Sequence, residues 1–298
     1  MDYSNVSILV LSCDLYESVW NPYFRLLQKN WSEHPTQVYL LTEEKDYRCD
    51  FMNVKTIRAG KERTWSERLK FALSQIPSEY VLYTLEDYFI HEQVNNDGFQ
   101  DAFDLMKRNA KWGGIWFHPI RRDRTYPIVY DHRKAFLKTN RLHKGRTNMM
   151  VILYRKAFLE KLIVKPENAW AFESKSNIRS IVAGYDVIHY RINDSAPVFL
   201  YYNKFVDGVG ITSRKWLSRT PEIFEMNGIT DVHYEELGIL ESRFGYTDPT
   251  DKRTDKKQQK YSIRDLIYYY ITRPIKQSTV GRLLRAAGYW WKYYRKKN

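Results

Sequence analysis

The run Ser78-Glu-Tyr-Val-Leu-Tyr-Thr-Leu-Glu-Asp-Tyr-Phe-Ile-His91 constrains the fold more than any other stretch of the chain. Val81, Leu82, Tyr83 and Leu85 stand in near-continuous apolar order, the pattern of a strand covered on both faces, as in a parallel sheet flanked by helices. Two adjacent carboxylates, Glu86 and Asp87, follow where that strand should end. Sheets of this kind bind ligands at the carboxyl ends of their strands. Two acids buried there without partners would be costly, so a cation, hydrogen bonds or water in an open cleft must hold them.

Similar runs lie upstream. Residues 6–14 read as a buried strand, ended by a Ser12/Asp14 turn able to cap the helix suggested by Val19, Tyr23, Leu26 and Leu27. Residues 37–42 and 53–58 read as two further strands. Residues 64–76 then form a capped helix with Trp65, Leu69, Ala72, Leu73 and Ile76 on one face, stopped by Pro77. The β-α-β-β-α-β series predicts a doubly wound α/β domain. Downstream, the pattern predicts a helix over 97–110 and a strand over 114–118. A long basic, aromatic loop follows over 119–145, then a strand over 149–154, a helix over 156–162, and a loop and helix over 168–180 carrying Glu173. Strands over 187–191 and 197–202 are expected to close the sheet.

A chain of 298 residues with 43% apolar content can bury one large core or two modest ones. No run of eighteen uncharged apolar residues occurs, and the first residues carry Asp2 and no basic segment, so a cytoplasmic chain is expected. Cys13 and Cys49 have neither close spacing nor a histidine cluster, and read as two reduced, largely buried thiols. The net charge of +13 is uneven: residues 251–298 hold fourteen Lys or Arg against three Asp or Glu, net +11, leaving +2 for the first 250. The partner of this end of the chain should be anionic.

Several groups could do chemistry. If the early strands are parallel, Asp14, Thr42, Glu43, Glu86 and Asp87 converge on one edge, a polar cleft fit for a nucleotide and a metal-diphosphate. A hard divalent cation takes carboxylate oxygens and substrate phosphates. The plainer reading is that Glu86 and Asp87 cap a turn or pair with Arg68 or Arg63. Arg63 and Arg68 flank a helix start that favours anions and could hold a diphosphate, while Thr64 and Glu67 form a capping box that leaves both arginines free. Glu173 lies among Trp170 and Phe172, which could shade it and raise its pKa toward that of a general base. Its plainer reading is a first-turn partner of the helix dipole. The basic clusters at 121–124 and 132–134 could bind an anionic acceptor or be solvated.

Five segments in register carry a resemblance over roughly residues 5–215: Ser12-Cys-Asp14 with Tyr16 and Trp20-Asn-Pro-Tyr-Phe24, Tyr39-Leu-Leu-Thr-Glu43, Thr64-Trp-Ser-Glu-Arg68, Tyr80-Val-Leu-Tyr-Thr-Leu-Glu-Asp-Tyr-Phe89 and Trp170-Ala-Phe-Glu173. In these the chain resembles the GT-A-like glycosyltransferases of bacterial capsule and lipopolysaccharide clusters. The resemblance implies a GT-A-like (Rossmann-like) mixed sheet flanked by helices. It also implies a nucleotide-sugar donor bound by Ser12, Asp14, Thr42, Glu43, Arg63, Trp65, Arg68 and Glu86. Glu86-Asp87 falls where such enzymes carry an Asp-x-Asp metal motif, with Asp87 the metal ligand for Mn2+ or Mg2+. The two adjacent acids depart from that spacing and put metal dependence in question, with Arg or Lys as the alternative neutraliser of the leaving diphosphate. Glu173 falls where similar inverting enzymes keep their base, with Asp87 beside the leaving group. A sugar nucleotidyltransferase would instead show a Gly-rich phosphate loop after strand one, and Ser12-Cys-Asp-Leu-Tyr-Glu-Ser has no glycine.

The domain division expected is 1–246 for the transferase domain, 247–260 for a polar linker and 261–298 for a basic, aromatic, amphipathic helical extension. In that extension Val280, Leu283, Leu284, Ala287, Trp291 and Tyr294 form a stripe, with Arg282, Arg285, Lys292 and Lys296 on other faces. This suits an anionic membrane surface carrying a lipid-linked or glycan acceptor, or a helix docked on the protein's own body. A non-catalytic nucleic-acid-binding protein is the rival of another class. Acids gathered at the strand tips would repel a polyanion, so no nucleic acid is expected.

Overall fold

The computed structural model describes residues 3–117, 128–129, 136–139, 141–142, 146–190, 197–202 and 209–240. The elements run β1 (Val6–Leu11), α1 (Glu17–Asn30), β2 (Gln37–Thr42), β3 (Val54–Arg58), α2 (Trp65–Gln75), β4 (Tyr80–Leu85), β5 (Phe89–Ile90), α3 (Asn96–Arg108) and β6 (Trp112–Trp116). They continue with β7 (Ile128–Val129), β8 (Phe136–Lys138), β9 (Ile152–Arg155), α4 (Lys156–Leu162), α5 (Ala169–Val182), β10 (Asp186–Tyr190), β11 (Tyr201–Tyr202), β12 (Ile211–Thr212), β13 (Lys215–Leu217), α6 (Thr220–Met226) and β14 (Ile239–Leu240). Nine strands form the main sheet in the order β3-β2-β1-β4-β9-β6-β10-β8-β7. β1 pairs in parallel with β2 and β4, and β2 with β3, so the expected α/β series winds outward from β1. β9 is antiparallel to both β4 and β6, which makes the sheet mixed.

Both faces are covered, and β1 shows why its sequence is apolar at every position but Ser7, whose buried hydroxyl is paired with that of Ser78 at 2.7 Å. Ile8 and Val10 join a core with Trp20, Phe24 and Leu27 of α1 and Phe99 and Phe103 of α3. Leu9 and Leu11 join another with Leu69 and Leu73 of α2, Phe158 and Leu162 of α4, and Phe172 of α5. Alternate side chains go to opposite faces, so a strand buried on both admits a polar residue only where, as at Ser7, it finds a hydrogen-bond partner. Each such side chain contributes roughly 1.5–3 kcal/mol.

The expected capping box of α2 is present: the Glu67 carboxylate accepts from the Thr64 backbone N–H at 2.9 Å. The expected Ser12/Asp14 cap of α1 is not: the helix begins after Tyr16 with no side-chain cap. Residues 197–202 do not close the main sheet. Only Tyr201–Tyr202 is extended, pairing antiparallel with β5 in a separate two-stranded sheet. The reason is that β10 already lies between β6 and β8, the latter arising within the stretch read as a loop. The strand expected over 114–118 starts earlier and takes in Gly113, where a Cβ would meet the Phe158 ring at 2.5 Å; only glycine lets α4 pack so close. The linker, the basic extension and the clusters at 121–124 and 132–134 lie outside the described residues.

Candidate functional site

Leu11 is in register with both Leu41 and Leu85, so Ser12, Thr42 and Glu86 leave the sheet at one edge. The carboxyl ends of β6 and β10 reach the same edge, because β6 is antiparallel to β9, as β4 is, and β10 runs parallel to β6.

On the β1–β2 side the polar groups knit the strand ends together. The Asp14 carboxylate accepts from the backbone N–H groups of Glu43 and Glu44, each at 2.9 Å, and of Lys45 at 3.1 Å. Three donors suit an ionised carboxylate, and they fix the turn after β2 against the start of α1. The fully buried Thr42 hydroxyl donates to the Lys45 carbonyl at 2.7 Å, and Ser12 Oγ accepts from Trp20 Nε1 at 2.7 Å. Glu43 takes the guanidinium of Arg68, and Arg63 donates to the Ala59 carbonyl and to Glu62 while lying over the Phe71 ring. The arginines are therefore not free, contrary to expectation. Arg68 reaches Glu43 because that acid follows β2, on which α2 packs. Trp65 packs on Phe172 with ring centroids 5.0 Å apart, joining α2 to α5.

On the β4 side Glu86 and Asp87 stand at the strand tip. Glu86 is buried, and burial first, then the negative charge of Asp87, push its carboxyl well above the usual carboxylate range. Gly210, with φ +115°, lies against Asp87: a Cβ there would stand 3.3 Å from its carbonyl oxygen and 3.6 Å from its carboxylate. The surrounding phenols mark which charges share this space. Tyr16 is pushed up to about 12 by burial and then by Glu86, with Cys13 and Asp87 adding to it. Tyr88 is raised by burial and then by Asp87, Tyr201, Glu173 and Glu86. Tyr83, fully buried, is raised by burial and then by Tyr154, Tyr88, Glu173 and Glu86. Glu173 from α5 thus acts on Tyr88 together with both acids of the β4 tip, and on Tyr83 together with Glu86. Burial, with Glu86 next, also lifts the half-buried Cys13 thiol to about 11; Cys13 and Cys49 are both free thiols.

Glu173 is part-buried in the second turn of α5, whose first turn holds no acid, so it is not the dipole partner considered above. Trp170 does not shade it, being 74% exposed; the aromatic surroundings come from Tyr83, Tyr88 and Tyr154 instead. What positions α5 was not visible in the sequence. Arg179 donates to both oxygens of Glu167, at 3.0 and 2.8 Å, Lys175 approaches Glu167 at 3.2 Å, and the Glu167 backbone exchanges hydrogen bonds with Ser66 at the start of α2. No local spacing signals a lock between residues so far apart in the chain.

Among the described residues no three His, Cys, Asp or Glu side chains gather as a metal site, and no helix is long and apolar enough to cross a membrane. Glu86 and Asp87 do fit a hard cation in part. They are oxygen donors whose mutual repulsion a divalent charge would relieve, and the remaining ligands would have to come from substrate or water.

No protein-family model matches the chain, and no curated protein does. Among solved structures it is similar to Staphylococcus aureus TarS residues 1–349, at 15% identity and a TM-score of 0.45, over 66% of this chain and 60% of that one. A mannosyltransferase from Pyrobaculum calidifontis in complex with GDP-Man and Mn2+ matches at 14% identity and a TM-score of 0.44, over 63% of this chain and 55% of that one. A CMP:2-keto-3-deoxy-manno-octonic acid synthetase complexed with CTP matches at 13% identity and a TM-score of 0.42, over 75% and 97%. The chain thus spans just over half the length of the first two. At these scores the likeness adds nothing to the reading of the site.

Proposed function

We propose that the chain is a glycosyltransferase that moves a sugar from a nucleotide-diphosphate sugar to a glycan or lipid-linked acceptor in surface polysaccharide biosynthesis, with inversion. The observation that carries this reading is that Glu86 and Asp87, at the carboxyl edge of the parallel strands, and Glu173, from a distant helix, all lie close enough to act on the part-buried Tyr88. Two sets of acids on one edge suit two tasks, one at the leaving group and one at the attacking hydroxyl.

In this reading the donor lies along the edge built by Ser12, Asp14, Thr42, Glu43, Arg63, Trp65, Arg68 and Glu86. Asp14 and Thr42 contribute by holding the strand-end turns in place. Glu173 takes the proton of the acceptor hydroxyl as its oxygen bonds to the anomeric carbon. The bond from that carbon to the diphosphate breaks, and the nucleoside diphosphate leaves with the electron pair beside Asp87. Asp87, with Glu86 next to it, would hold Mn2+ or Mg2+, which when bound supplies positive charge to the leaving diphosphate. The basic extension over 261–298 would place the enzyme peripherally on an anionic membrane, on its cytoplasmic face, where a lipid-linked acceptor lies. Nucleic acid is not a partner in this reading.

The test is a panel of nucleotide sugars screened by thermal shift and then by transfer. One donor should raise the midpoint of unfolding. Glu173→Gln should keep that shift and lower turnover by roughly 10²–10⁴-fold. Near-normal turnover in this variant would remove Glu173 from the base role, and a panel with no stabilising donor would remove the reading.

A further inference from the structure

The cations near the strand ends are nearly all spoken for. Lys45 pairs with Glu17, Lys61 with Glu44, Arg63 with Glu62 and Arg68 with Glu43. None of these four cations can turn to an anion arriving beside Glu86 and Asp87 without first leaving its own acid. Arg58 at the end of β3 and Arg214 are both exposed and make no hydrogen bond or ion pair among the described residues, but β3 lies three strands from β4, whereas Arg214 belongs to the segment that rests on Asp87.

Its placement is specific. Gly210 rests on Asp87, its N–H donating to Thr220 Oγ1 at 3.0 Å and its carbonyl accepting from Leu217 at 3.0 Å. From that root β12 and β13 form a tight hairpin, Thr212 opposite Lys215, with Ser213 and Arg214 as the two turn residues. Both have positive φ, 50° and 64°, where such hairpins normally place Asn-Gly. A side chain at this position holds its backbone in a conformation that glycine would adopt without strain, and strain of this kind collects at functional sites. The guanidinium acts on the Tyr16 phenol, which also lies in the field of Glu86 and Asp87.

We infer that Arg214 is the cation that receives the phosphate groups of the ligand bound at the Glu86–Asp87 edge. This rests on the donor reading above and adds to it the residue that neutralises the diphosphate. The sequence offers Arg63 and Arg68 for that role, and the structure commits Arg63 to Glu62 and the Ala59 carbonyl and Arg68 to Glu43. Arg214 differs from Arg68 in having, among the described residues, no acid to surrender before it can fork onto phosphate oxygens.

The experiment is titration of the full chain with inorganic pyrophosphate in the presence of Mg2+, comparing wild type, Arg214→Gly, Arg214→Lys and Glu173→Gln. Arg214→Gly removes the guanidinium and relaxes the turn, so its midpoint of unfolding should equal or exceed that of wild type while pyrophosphate affinity falls at least tenfold. Arg214→Lys should retain part of the affinity and Glu173→Gln all of it. Unchanged affinity in a folded Arg214→Gly, or no pyrophosphate binding by wild type, overturns the inference. If Arg214-dependent binding is found and no nucleotide sugar is ever used, the phosphate role of Arg214 stands and sugar transfer falls. If sugar transfer is found with an unchanged donor KM in Arg214→Gly, this inference alone falls.

Discussion

Arg68 of α2 and Glu43 at the end of β2 form an ion pair that is mostly withdrawn from water, their side chains 15% and 24% exposed. Removing one partner leaves the other's charge poorly solvated, so the loss exceeds that of an ordinary surface pair. Arg68→Ala should lower stability by about 1–2 kcal/mol in urea unfolding. Adding Glu43→Gln should restore part of it. Strict additivity in the double-mutant cycle would show that the pair contributes nothing beyond its separate residues.

The buried acid at the tip of β4 gives the protein a pH dependence of a definite sign. The folded state holds the Glu86 proton more tightly than the unfolded chain, where the carboxyl titrates near 4.5. With more protons bound in the folded state, stability falls as pH rises above that value, and it keeps falling until the folded group has titrated. Glu86→Gln, which keeps the shape and removes the charge, should flatten this decline and raise the midpoint at neutral pH. A divalent cation should act the same way on the wild type by lowering the folded value. Parallel midpoint-versus-pH curves for wild type and Glu86→Gln would place the pH dependence elsewhere.

The parallel strands were legible because burial on both faces leaves a nearly continuous apolar run, broken only by Ser7 in Val6–Leu11 and Thr84 in Tyr80–Leu85, and the capping box of α2 because its partners are three residues apart. What could not be read locally was where polar side chains go when their partners are distant. Asp14 has the composition of a cap, yet its carboxylate is claimed by backbone N–H groups from the turn after β2, which only the parallel pairing of β1 and β2 brings near. Arg68 was read as free for the same reason. The short strand β8 escaped notice because its three residues lie in a basic, aromatic stretch, and its position beside β10 displaced the strand expected over 197–202. Of the site, Glu86, Asp87 and Glu173 were marked in the sequence. Their shared tyrosines and the Gly210–Arg214 hairpin were not, because no local spacing links them.

The close approach of β6 and α4 makes Gly113 intolerant of even a methyl group. A Cβ would lie 2.5 Å from the ring of Phe158 and 2.8 Å from Cβ of Tyr185, and Phe158 is fully buried with no room to retreat. Gly113→Ala should therefore cost about 1–3 kcal/mol in urea unfolding, although alanine ordinarily favours the folded state over glycine. Combining it with Phe158→Leu should recover part of the loss relative to Phe158→Leu alone. If Gly113→Ala proves neutral, α4 packs more loosely on the sheet than these distances require.

The Glu167–Arg179 pair fixes the helix that carries Glu173, and its two side chains are only 5% and 8% exposed. Arg179→Met keeps much of the volume but leaves Glu167 with Lys175 as its only remaining ion-pair partner among the described residues. Stranding most of a buried charge costs about 3 kcal/mol, whereas replacing both partners together can be close to neutral. Arg179→Met should thus be strongly destabilised in urea, and Glu167→Gln with Arg179→Met should recover most of that stability. The repaired double variant also separates two roles. If the bidentate geometry serves only folding, its transfer rate returns with its stability; if it also holds α5 so that Glu173 reaches the acceptor hydroxyl, the rate stays low after stability is restored. The second outcome is expected, because the neutral pair cannot reproduce the two charge-assisted hydrogen bonds that orient the helix against Ser66 and α2.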